Sequence, residues 1–94
     1  MNSKLLSFLK YLDVSPEEID ELYAVCPNIF EYDADKISDN ITLVISCGYP
    51  KSDIGNLLLA NPNFVFDEHE HLKRVLLSLG EDVETKLNKN PFLI

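Results

Sequence analysis

Three prolines interrupt this chain at matching places in a helical pattern, and that spacing restricts the fold more than any other feature. Pro27, Pro62 and Pro91 each stand eight residues after an aliphatic residue, respectively Ile19, Ile54 and Val83. Proline lacks an amide hydrogen, and its ring pushes the preceding residue out of the helical region. Cys26, Asn61 and Asn90 must therefore each end a helix. The phrase "PNIFEYD" from Pro27 returns as "PNFVFDE" from Pro62, thirty-five residues on. The likeness continues downstream, pairing Phe30 with Val65, Ile37 with Leu72 and Ile41 with Leu76. The repeated unit is a short helix, a proline turn and a longer helix. Its third copy is tighter, because Gly80 precedes Val83 by three residues whereas Gly48 precedes Ile54 by six.

The stretches between prolines carry helical stripes. Leu5, Phe8, Leu9 and Leu12 fall at i, i+3, i+4 and i+7, as do Ile19, Leu22, Tyr23 and Cys26, and Leu72, Val75, Leu76 and Leu79. Ile37, Ile41, Val44 and Ile45 trace a similar face, and Ile54, Leu57 and Leu58, then Val83 and Leu87, complete six predicted helices. No segment alternates with period two over a useful length, so strands are not needed. "SPEE" predicts a capping box with Ser15 as N-cap, Pro16 at the first helical position and Glu18 reaching back. Asp67 with Glu70 predicts a second such box. Gly48, Gly55 and Gly80 stand singly, as glycines that close helices or permit close packing.

A pair of helices cannot bury its own apolar face, so such units stack and share a core. The predicted fold is all-α: a short α-solenoid forming one domain over residues 1–94. It comprises a first helix at 3–13, repeats at 14–48 and 49–80, and a truncated repeat at 81–94. An apolar content of 46% supports a continuous core. Cys26 and Cys47 match no zinc spacing, and they read as reduced core residues rather than a disulfide framework. Lys4 and Lys10 break the first apolar run, which removes a secretory core, and no stretch approaches the roughly 18 apolar residues of a membrane span. A cytoplasmic location is expected. At the other end, Phe92, Leu93 and Ile94 are expected either to fold back as a lid or to present an apolar edge, which would leave a monomer or a weak dimer through that end.

The segments "SPEEIDELYAVCPNIFEYDADKI", "PKSDIGNLLLANPNFVFDEHEHL" and "GEDVETKLNKNPFLI" resemble the repeats of the mitochondrial transcription termination factor family. The resemblance spans almost the whole chain, with the first helix as the tail of an earlier unit. It implies a curved helical array whose concave side binds nucleic acid. The charge departs from that family's basic character: 16 acids face 8 bases, a formal charge of −8. Phosphate neutralisation supplies most non-specific nucleic-acid affinity, so an acidic module is disfavoured as such a binder.

The charge is unevenly placed. From Asp13 to Asp39 nine acids face Lys36 alone, while the rest of the chain balances seven against seven. Glu17, Glu18, Asp20 and Glu21 are predicted to point away from the apolar stripe, where a basic protein surface could dock. Lys73, Arg74, Lys86 and Lys89 form the opposite pole and the best alternative for nucleic acid. "DEHEH", residues 67–71, is the only stretch that invites a metal, but His69 and His71 point about 200° apart on a helix and cannot chelate one ion. No nucleophile elbow or phosphate-cradling loop occurs. The expected function is therefore a protein-binding adaptor or regulator, neither an enzyme nor a cofactor carrier, with nucleic-acid binding as the alternative.

Overall fold

Each of the three prolines ends a helix in the same manner. In the computed structural model, which describes residues 2–94, the residue before each proline is extended: Cys26 at φ −146°, Asn61 at −153° and Asn90 at −147°. The proline then opens a 3-10 turn, where its missing amide hydrogen costs nothing. These proline turns span Pro27–Phe30, Pro62–Phe66 and Pro91–Leu93. Six α-helices surround them: α1 (Ser3–Tyr11), α2 (Pro16–Val25), α3 (Ala34–Ser46), α4 (Ile54–Ala60), α5 (His69–Leu79) and α6 (Val83–Lys89). A further 3-10 turn, Lys51–Asp53, leads into α4. Among the described residues there is no strand, so the chain is all-α.

Caps explain the other boundaries. Ser15 Oγ accepts from the Glu18 amide at 3.1 Å and Glu18 Oε1 accepts from the Ser15 amide at 3.0 Å, which completes the predicted capping box. Asp33 Oδ1 accepts from the Asp35 amide at 2.9 Å and starts α3. The predicted Asp67–Glu70 box does not form. Glu68 is the N-cap of α5, and Asp67 instead accepts from the Glu68 amide at 2.9 Å and meets His71 Nδ1 at 2.6 Å. The imidazole one turn further on takes the carboxylate oxygen that the box would have used. The first helix also stops earlier than residue 13, because Asp13 turns left-handed at φ 62°. Gly48 and Gly80, at φ 112° and 69°, close α3 and α5 in conformations that a side chain would strain.

The long helices pack in sequence, α1 on α3 and α3 on α5, while α2 packs on α4, α5 on α6, and the second proline turn against α3. Leu5, Leu9, Ile37, Ile41, Val44, Ile54, Leu58, Val65 and Leu72 are fully buried between them. Each such side chain contributes about 1.5–3 kcal/mol of burial. The radius of gyration is 12.3 Å, against about 12.4 Å for a compact chain of this length. Among the described residues, no helix is long and apolar enough to cross a membrane.

Two expectations about the core need correction. Ile19 and Leu22 are buried, but Tyr23 on the same predicted stripe is 48% exposed, its ring 5.5 Å from that of Phe30. The stripe is narrower because α2 finds its main helical neighbour, α4, on one side. Cys26 and Cys47 are free thiols packed against the edge of the core and only half-buried, rather than members of it.

Candidate interaction surfaces

The acidic helix divides its four carboxylates between two tasks. Glu17, Asp20 and Glu21 are exposed, as expected, whereas Glu18 is half-buried and serves the capping box. Glu18 also fills the gap to α4. A Cβ on Gly55 would lie 2.5 Å from Glu18 Oε2, so the glycine lets α4 approach the capped end of α2. Among the described residues the ion pairs are Lys4–Asp35 and Asp67–His71, each at 2.6 Å, and the exposed acids of α2 belong to neither. Lys4 joins α1 to α3. The hydrogen bond to Asp35, then its charge, raises the Lys4 pKa.

The basic pole is less unified than its sequence implies. Lys73, Arg74, Lys86 and Lys89 are all exposed, the first two on α5 and the last two on α6. Lys86 Nζ donates to the Leu79 carbonyl at the end of α5, so it acts as a cap for that helix. From Arg74 to Leu79 the helix rises about 7.5 Å, which sets the two pairs at different heights along α5.

Three asparagines hold the proline turns and were not foreseen. Asn40, 2% exposed, donates from Nδ2 to the carbonyls of Phe64, Val65 and Asp67 at 3.1, 3.2 and 2.9 Å, clamping the second proline turn onto α3. Because Nδ2 is the donor there, Oδ1 is the acceptor facing His69 Nδ1 at 2.9 Å, which assigns the Nδ1–H tautomer to the imidazole. His69 and His71 thus serve different partners, as their angular separation requires. Asn61, also 2% exposed, accepts from the Asn63 amide at 3.2 Å and donates to the carbonyls of Pro91 and Ile94 at 2.9 and 3.3 Å. Asn90 accepts from the Phe92 amide at 3.1 Å in the same way, but it is exposed. One signal was available for Asn40: it lies three residues after Ile37 and four before Val44, a polar residue on a buried stripe.

An open cleft of about 390 Å³ lies beside the Asn40–His69 pair, with Tyr32 and Phe66 edge to face at 5.0 Å on its wall and Lys36, Asp39 and Glu68 also lining it. Among the described residues, no three His, Cys, Asp or Glu side chains converge as metal ligands. The C-terminal residues divide between the two expected roles. Ile94 packs against the core beneath Asn61, whereas Phe92 is 68% and Leu93 38% exposed. No family model, curated protein or solved structure matches the chain.

Proposed function

We propose that this chain is a protein-interaction module, an adaptor or regulator built as a short stack of helix–proline-turn units, with α2 of its first unit as the docking surface. The observation that carries this reading is the state of Glu17, Asp20 and Glu21: exposed, close together and outside both ion pairs. Acids held by internal partners would have little to offer another protein. These three can meet the lysines and arginines of a basic surface, where complementary charge speeds encounter and selects the partner. The stacked-unit part of the reading is supported by the likeness to mitochondrial transcription termination factor repeats and by the three helix-to-proline exits at nearly the same φ, two of them capped by an asparagine. Nucleic acid is the weaker reading, since Lys86 is engaged by a backbone carbonyl and the net charge is −8.

Affinity capture from the native cell extract tests it, with a Glu17→Lys/Glu21→Lys variant as control. Proteins retained at low salt should elute as salt screens the charges, and the variant should not retain them. Retention unaffected by salt and by charge reversal would exclude the acidic face. Recovery of RNA or DNA in place of protein would move the function to Lys73, Arg74, Lys86 and Lys89.

A further inference from the structure

The contact between the last two units inside the molecule has no counterpart, among the described residues, on the outer faces of the first and third units. We infer that the C-terminal unit, α6 with the third proline turn, docks head to tail on α2 and the first proline turn of a second copy of this chain, repeating the internal contact. This rests on the stacked-unit part of the proposed function.

The asparagines give the first argument. Asn61 and Asn90 make the same bond to the amide two residues on, but only Asn61 has a following proline turn whose carbonyls, at Pro91 and Ile94, receive its Nδ2. Counted from the proline, the equivalent carbonyls on the first turn of another copy are those of Pro27 and Phe30. A buried asparagine needs such acceptors, so an equivalent contact at Asn90 would be satisfied by the chain's own first turn.

Exposed apolar side chains give the second. Tyr23 and Val25 near the end of α2, and Phe92 and Leu93 in the third proline turn, are large and exposed, whereas the exposed rings of Tyr11 and Tyr32 lie beside Lys51 and Phe66 of the following unit. Position by position the ends differ from the middle. Leu93 is 38% exposed where its counterpart Phe64 is 1%, and Tyr23 is 48% exposed where its counterpart Leu58 is 0%. The middle unit has a neighbour on both sides, and among the described residues the first and third units have one each.

Charge selects head to tail over tail to tail. Asn56, Leu57 and Ala60 of α4 share a cleft with Leu87, Asn88 and Pro91. The same register places Thr85, Lys86 and Lys89 on the outward side of α6, and Tyr23, Ala24 and Pro27 on the outward side of α2, with Asp20 one turn before Tyr23. Lys86 is already held by the Leu79 carbonyl, so Lys89 is the lysine that meets the acidic helix of the next copy, whereas two C-terminal ends would oppose one Lys89 with another. Such a contact is heterologous and does not close on two copies, so assembly continues until a ring forms or grows as a filament.

Sedimentation velocity over a concentration series at low salt tests the inference. The mass should climb from the monomer's 10.7 kDa past the dimer. Asp20→Lys and Lys89→Glu alone should each weaken association about tenfold, and one chain carrying both should recover it, because lysine and glutamate then face each other across copies. Phe92→Ser should weaken association at every salt concentration. A monomer up to about 1 mM, growth that stops at a dimer, or no recovery in the double variant would overturn the proposal. A monomer that still captures extract proteins in a salt-sensitive way overturns this inference alone. Self-association with no salt-sensitive capture overturns the adaptor reading alone.

Discussion

Asn61 and Asn90 precede prolines, leave their helices at nearly the same φ and accept from the same relative amide, yet one is 2% exposed and the other lies open. The difference teaches that the turn is a local device, complete within a few residues, whereas its burial depends on what packs over it, as the third proline turn does over Asn61. A local cap contributes about 1 kcal/mol. The larger share of stability comes from the apolar side chains and carbonyls that the neighbour covers.

The comparison breaks most visibly in the turns' own side chains. Phe64→Ala should lower unfolding free energy by about 3–5 kcal/mol, because a fully enclosed ring leaves a cavity. Leu93→Ala, at the matching place in the last turn, should cost about 1 kcal/mol, since much of it is already wet. Urea unfolding of the two variants measures both, and equal losses would mean that the end unit is as well covered as the middle one.

A smaller effect comes from Tyr49, which ties the approach of α4 to α6. Its hydroxyl donates to Asn88 Oδ1 at 3.2 Å and lies 3.4 Å from the Asp53 carbonyl. Burial, then the charges of Asp53 and Glu84, raises its pKa above the ordinary value of 10.0. The folded chain thus keeps a proton that the unfolded chain has released, so stability present below about pH 10 falls as pH rises beyond it. Lys4, also raised, acts in the same direction at pH values above its ordinary 10.5. Tyr49→Phe should cost about 1 kcal/mol at neutral pH and flatten the alkaline loss of stability, leaving the Lys4 part. Thermal unfolding from pH 8 to 11 reads both changes.

Much of this contrast was legible from the residues. Helix periodicity and the pre-proline rule located all six helices and the three exits, because each acts over one or two turns. The Ser15–Glu18 box was legible for the same reason. What escaped depended on partners far along the chain. Asn40 meets carbonyls more than twenty residues away, Glu18 meets Gly55, and the exposure of Tyr23 follows from which side of α2 carries a neighbour. Asp67 was misread because His71 competes with the amides for its carboxylate. Of the four carboxylates expected to point outward, Glu17, Asp20 and Glu21 do so and Glu18 turns to the capping box, because charge counting places the carboxylates but does not reveal which one is already in use.

The most direct measurement of the central claim, that units stabilise one another by contact rather than alone, is the difference between Asn61→Ala and Asn90→Ala in urea unfolding at a concentration where the chain is monomeric. Removing Asn61, itself 2% exposed, should cost about 2–3 kcal/mol, since it removes both the donor to the half-buried Pro91 and Ile94 carbonyls and the acceptor for the Asn63 amide, and removing Asn90 no more than about 1 kcal/mol. Equal losses, or a larger one at Asn90, would contradict the account.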